Sequence, residues 1–355
     1  MGRGTVVGGV NQGAIIPDVR FSLLFFSAED AAPGGTYRLL LEGAKFADRH
    51  GFDAVWTPER HFQRFGGPYP NPAVTGAALA VLTQSIRIRA GAVVLPLHDP
   101  VRLAENFAVV DNLSAGRVEM ACVVGSHPDD YALRPDAYAS KDELLREGVE
   151  TIRRLWRGER IAARNGLGQP IDIEIFPRPV QPELDVWRVC NREPSCRKAG
   201  EDGVKILSSM LYDTLEGTKR KVAAYREGLA AAGREGHLAL MVHAFVGDRA
   251  RELSWPAYRQ YLQTNMALQR RAQEAAGREV PVLSDDDQQF MFENAFDRLK
   301  TTHGLIGTVE QCVPMVEAYR EMGVDEIACL IDFGVDADEV LASLDHLNRL
   351  REICG

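Results

Sequence analysis

IRIRAGAVVLPLHDPVRLAENFAVVDNLSAGRVEMACVVG, residues Ile86–Gly125, decides the fold. Ile86–Leu95 is nearly all apolar, as a strand covered on both faces should be. It empties into Pro96-Leu97-His98-Asp99-Pro100, where Asp99 is placed to cap the next helix and Pro100 to take its first position. Ser114-Ala115-Gly116 closes that helix, and Val118–Val124 is a second apolar strand. The pattern predicts a parallel βαβ unit. Strand C-termini and the loops after them then share one rim, where ligands bind. His98 and the residues after Val124 therefore face a candidate site.

The rhythm extends in both directions. Strand starts near Phe21, Asp53, Ile86 and Val118 recur about every 32 residues, the length of one βα unit. Helix signals fill the gaps: Thr36–His50 with Gly51 as its stop, Asn71-Pro72 as an opening, and Ser140-Lys-Asp-Glu143 as a capping box. Arg160–Pro182 reads as an excursion or small hairpin. Val186–Cys190, Val204–Leu207, Leu238–Val246 and Glu326–Phe333 supply strands five to eight, with a further capping box at Thr308–Gln311. Strands alternating with helices in this way predict an α/β fold, a (β/α)8 TIM barrel with insertions after strands four and seven, in preference to a doubly wound sheet. Residues 1–18 read as a flexible N-terminal tail and 19–355 as a single barrel domain. Within it, 247–300 is long, charged and helical, and is expected to hang over the rim as a lid.

The 355 residues carry 41 basic and 50 acidic side chains, a net charge of −9. That balance argues against nucleic acid or an anionic membrane as partner, since both want a basic surface. No apolar run reaches transmembrane length, and the first residues lack the apolar core of a signal peptide. A cytoplasmic enzyme is expected. The cysteines are scattered without a CxxC pair and read as reduced, mostly buried thiols.

Three strand ends carry chemistry. Strand two runs into Glu59-Arg60-His61, strand three into His98-Asp99, and strand four into Gly125-Ser126-His127-Pro128-Asp129-Asp130. Histidines, an arginine and carboxylates on one rim make an acid/base pocket. Several have a structural reading beside the functional one: Asp99 as a helix cap, Glu59 and Arg60 as an ion pair holding the loop, His98 as a ring packed on Phe107. His61 and His127, at a barrel mouth, must be solvated or used, and are read as functional. A metal held by His127, Asp129 and Asp130 lacks a second motif with ligand spacing, and no metal is expected. No Walker loop, GxGxxG or GxSxG appears.

VWTPERHF, GGPYPNPAVTGAALA, the Ile86–Gly125 stretch, HPDDYALRPDAYA, GVETIRRLWRGE and GVDEIACLIDFGVD follow one another along the chain. Together they resemble the bacterial luciferase-like flavin monooxygenases, in particular the branch encoded beside nonribosomal peptide and polyketide assembly lines. The resemblance runs from Phe21 over nearly the whole chain. It implies a TIM barrel that binds reduced FMN at the strand C-termini, a separate flavin reductase, molecular oxygen as co-substrate, and a homo-oligomer, typically a dimer, formed through barrel helices. It implies a cis peptide at Gly91-Ala92 against the flavin ring. It maps proton delivery, oxygen handling and substrate orientation to Glu59, Arg60, His61 and His127. Cofactor contacts map to Gly91, Ala92, Val124, Gly125, Ser126, Arg192 and Ser195.

Two segments depart from the family pattern, and both fall on the phosphate subsite. Strand four usually ends Ser-Gly-Trp-His-Pro-Asn-Asp; here Val124 removes a hydroxyl and Ser126 replaces a large aromatic, which predicts extra room. After strand five, Arg188–Arg197 keeps one matching hydroxyl, Ser195, and offers Arg188, Arg192 and Arg197 instead. Guanidinium forks suit phosphate. The function implied is an FMN-dependent monooxygenase acting on an amino-acid or polyketide/peptide intermediate, free or carrier-bound. The alternatives are a luciferase-like barrel with lost or altered FMN binding that uses another cofactor, and a non-catalytic partner subunit.

Overall fold

Apolar strand runs separated by capped helices close, in the computed structural model, into a parallel barrel. The structure describes residues 18–26, 35–64, 66–125, 127–211, 213–275, 277–278 and 284–355. Almost all of the expected tail, and Ser126, lie outside them. The strands are β1 (Arg20–Leu24), β2 (Ala54–Thr57), β3 (Arg87–Val94), β4 (Val118–Val123), β5 (Ile161–Arg164), β6 (Pro170–Ile173), β7 (Val186–Val189), β8 (Ile206–Ser209), β9 (Leu238–Val246), β10 (Gly304–Gly307) and β11 (Glu326–Leu330). The helices are α1 (Arg38–Arg49), α2 (Pro72–Leu82), α3 (Pro100–Ser114), α4 (Lys141–Arg157), α5 (Glu193–Glu201), α6 (Leu215–Ala232), α7 (Ala250–Ala275), α8 (Asp285–Arg298), α9 (Val309–Met322) and α10 (Ala337–Cys354).

The barrel order is β1-β2-β3-β4-β7-β8-β9-β11, closed by β11 on β1, with every pair parallel. In this ring β3 and β9 stand opposite one another. The Arg160–Pro182 excursion is the antiparallel β5–β6 hairpin. One strand escaped the sequence reading. Beyond α8, a π-helical turn at Leu299–His303 leads into β10, which pairs with β9 from His243 onward, while β11 pairs with β9 up to His243.

Caps explain the element boundaries. Asp99 Oδ1 accepts from the Val101 and Arg102 amides at 2.8 and 3.1 Å, and the Thr308–Gln311 box forms in both directions. The Ser140–Glu143 box does not form. Ser140 sits at φ −111°, ψ 17°, not in the extended geometry that aims an N-cap side chain at the helix amides, and it makes no cap hydrogen bond. All of the cysteines are free and buried. No helix among the described residues is long and apolar enough to cross a membrane.

The N-terminal end of the barrel is closed by charge. Arg89, 2 % exposed, donates to Glu119 (2.5 Å), to both oxygens of Glu326 (2.7 Å) and to Asp53 (2.6 Å). Its guanidinium carbon lies 4.8 and 4.7 Å from the Trp56 and Trp187 ring centroids. His237, the Ser22 hydroxyl and the Trp56 indole N–H join Arg89 around Glu326.

Candidate functional site

The opposite, C-terminal rim gathers the side chains singled out in the sequence. Glu59 follows β2, and its carboxylate, fully buried, is shared. Oε1 meets His61 Nε2 at 2.8 Å and His98 Nε2 at 2.7 Å, and Oε2 accepts the Val94 amide at 2.8 Å. Glu59 thus ties the ends of β2 and β3 together. His98 is neither idle nor merely packed on Phe107: it is the second histidine on this carboxylate. The pairing was invisible in sequence because its partners come from different loops.

Burial alone would raise the Glu59 carboxyl, but the hydrogen bonds from His61, His98 and the Val94 amide outweigh it and hold it below the usual range. His61 is raised above its ordinary value by its bond to Glu59, burial opposing. His127, after β4, is lowered by burial and then by the Arg60 charge. Environments that push two imidazoles apart in this way suit one to give a proton and the other to take one. Asp130, 3 % exposed, is raised by burial, and its Oδ1 has no hydrogen-bond partner among the described residues. The sequence placed Asp130 among the rim carboxylates and in a candidate metal set with His127 and Asp129; among the described residues no cluster of three or more metal-ligating side chains is assembled. Arg60 lies with its guanidinium carbon 4.6 Å from the Phe26 ring centroid, and its amide donates to the Tyr69 carbonyl at 2.9 Å.

The Gly91–Ala92 peptide is cis and lies inside a register break between Ala90 and Val93 of β3. A Cβ on Gly91 would stand 2.6 Å from Trp56 Cε3, so only glycine lets β3 pass this ring. Gly91→Ala is expected to cost about 1–3 kcal/mol by overpacking, read as a lowered urea midpoint; an unchanged midpoint refutes the contact. Gly125 adopts φ 71°, and a Cβ there would meet Val94 Cγ1 at 2.7 Å. Tyr131 packs beside it and donates its hydroxyl to the Val124 carbonyl at 2.5 Å. Ser126, for which extra room was expected, is outside the described residues.

Of the three arginines expected to meet a phosphate, two are spent elsewhere: Arg188 pairs with Asp202 and Arg197 with Glu227, each at 2.6 Å. The α5–α6 packing brings Glu227 to Arg197, and the end of α5 brings Asp202 back to Arg188 on β7, which the sequence did not reveal. Arg192 is exposed at the N-cap of α5, and the Ser195 hydroxyl folds back onto the Arg192 carbonyl at 2.7 Å. A helix N-terminus with an exposed guanidinium is a chemically reasonable anion seat.

Residues 19–326 match the family described as luciferase-like monooxygenases. The chain is 27 % identical over 324 residues to the oxygenase component of flavin-dependent trigonelline monooxygenase from Acinetobacter baylyi, covering 88 % of each. It is 28 % identical over 217 residues to the F420-dependent glucose-6-phosphate dehydrogenase of Segniliparus rotundus, covering 59 % of this chain and 63 % of that one. Among solved structures, the oxygenating constituent of 3,6-diketocamphane monooxygenase from Pseudomonas putida, in complex with FMN, has a TM-score of 0.71 at 19 % identity. That match covers 95 % of this chain and 97 % of the other.

Proposed function

The chain belongs to the luciferase-like monooxygenase family, and on that premise we propose that it is the oxygenase of a two-component flavin monooxygenase. In this reading it takes reduced FMN from a separate reductase and oxygenates an amino-acid or polyketide/peptide intermediate of natural-product biosynthesis. The observation that carries the reading is the buried Glu59 carboxylate shared by His61 and His98 and anchored on β3 just beyond the cis Gly91–Ala92 bond. The designation of the Acinetobacter relative as an oxygenase component supports the separate reductase.

The residues present fit a flavin. Arg192 and the first turn of α5 offer an anion seat, and the unpartnered Asp130 Oδ1 offers a buried polar contact at the rim. When bound, the reduced flavin supplies the electrons that activate oxygen. The chain's own residues do the proton work. Glu59 favours the protonated form of His61; with Nε2–H given to the carboxylate, Nδ1–H is the proton His61 has to deliver. His127 stays neutral and accepts a proton from substrate, and Arg60 adds fixed positive charge.

The test is anaerobic titration with reduced FMN and with reduced F420, the cofactor named for the Segniliparus relative. FMN is expected to saturate and F420 not. Arg192→Ala is expected to weaken FMN about tenfold while leaving riboflavin unchanged, since a charge-assisted phosphate contact is lost. Binding of F420 in place of FMN, or of neither, overturns the reading. We also assign the exposed stripe of Val74 and Val81 on α2 with Val109 and Leu113 on α3 to contact with a second copy of the chain. Sedimentation of the same samples reads the dimer.

A further inference from the structure

A cavity of about 320 Å³ lies between the end of β8, the middle of β9 and the helices α7 and α8. It stands across the barrel from the cis bond of β3. That volume is at the low end of small-molecule sites. Half of the chain's methionines line it: Met210, Met241, Met266 and Met291. Unbranched thioether side chains mould to irregular apolar guests.

One polar side chain of this wall is buried and left without a partner among the described residues. His243 is 3 % exposed, and its Nε2 has no hydrogen-bond partner among the described residues. Its ring is boxed by Tyr258, Tyr261 and Phe333, with centroids at 5.1, 4.8 and 5.2 Å. Burial pushes the imidazole down to about 3, so it is uncharged at any working pH. Asn265, also buried, shares the face of α7 with Leu262 and Gln269, and its Nδ2 is likewise unpartnered among the described residues. Groups left so are costly unless a guest completes them. The π-helical turn at Leu299–His303 closes one side, and His303 Nε2 bonds the Asp213 carbonyl at 2.7 Å. Such turns recur at functional sites.

Charge is confined to the mouth. Asp213 is neutralised by Lys221 at 2.9 Å. Arg298 lines both this cavity and a shallow groove against α7 and α8, where Arg251 and Lys300 join it. Neither Arg298 nor Arg251 makes an ion pair among the described residues. A buried guest charge would go uncompensated inside but would be met at this edge.

We propose that this cavity is the substrate chamber and takes an amphipathic acyl compound, its apolar body and one neutral polar group lodged beside His243, its anionic end outward at Arg298. The proposal rests on the monooxygenase reading for its chemistry, and it selects the polyketide-like alternative over a zwitterionic amino acid. It is tested separately, on flavin-free protein, so that a failed FMN titration and an empty chamber are different results.

The probes are 2-octanone, octanoate and octyltrimethylammonium, followed by methyl spectra of methionine-labelled protein. The first two are expected to shift the signals of Met210, Met241, Met266 and Met291; the cation is expected not to. Arg298→Gln should weaken octanoate about tenfold and leave 2-octanone unchanged. His243→Phe should weaken 2-octanone about tenfold and leave octanoate unchanged, which also shows that this variant folds. Silence of the four methionines, binding of the cation as tight as that of octanoate, or failure of this crossed pattern overturns the proposal.

Discussion

Arg89→Met is expected to lower the unfolding free energy by about 3–5 kcal/mol, the range for removing one partner of a buried ion cluster. The magnitude follows from what remains. Glu119 and Glu326 are fully buried, and each points an oxygen at the guanidinium. Without it, carboxylates at the centre of the barrel base must stay charged in an apolar medium or take up protons. Burial alone would raise Glu326, and it is the Arg89 charge, followed by His237, that drives it well below the ordinary carboxylate range. The stability this supplies is present above the ordinary carboxylate value and lost only as pH falls through the depressed one. Arg89→Met should therefore also move acid unfolding to higher pH. Arg89→Lys keeps the charge but loses the fork on Glu326 and the stacking between Trp56 and Trp187, and should fall between the two. Urea unfolding at pH 7 and a pH-jump series read both effects. A Met variant within about 1 kcal/mol of the parent would show that the cluster does not hold the base closed.

The network explains where the sequence was legible and where it was not. Strands covered on both faces must be apolar runs, and the helices between them need caps, so the βα rhythm, the β5–β6 hairpin and the strand at Leu238–Val246 could all be read. Arg89 sits inside the very run that decided the fold, yet its partner Glu326 opens the last strand, and no local pattern pairs the two. β10 escaped because Gly304–Gly307 is four residues long, half of them glycine, behind a π-helical turn. The Ser140 and Thr308 boxes look alike as letters. They differ in backbone: Thr308 is extended at φ −69°, ψ 166° and reaches its helix, whereas Ser140 is not. At the rim, Glu59 and His61 announced themselves by type and place. That Glu59 is one carboxylate serving two histidines depends on the Val94 amide fixing it against β3, which only the closed barrel supplies.

Glu59→Gln tests that arrangement with little change of shape. The amide can still meet one imidazole and the Val94 amide, but it carries no charge to favour the protonated form of His61. His61 is expected to titrate back toward 6.5, its ordinary value, as followed by its ring-proton chemical shift. In the parent, this pair stabilises the fold most between the depressed value of Glu59 and the raised value of His61. Below that window the carboxylate is neutralised, and above it the imidazolium is lost. The variant should lose that dome in its stability–pH curve. Turnover with the reductase should fall about 100-fold, within the span of general acid catalysis, and its alkaline limb should move to lower pH because the proton donor now empties sooner. Reduced-flavin affinity should not change, since the carboxylate touches histidines and backbone only. Glu59→Asp, which restores the charge at a shorter reach, should recover the alkaline limb before it recovers the rate. If Glu59→Gln lowers stability but leaves the limb of the kcat profile where it was, the two histidines are held for structure, and the proton must come from elsewhere on the rim.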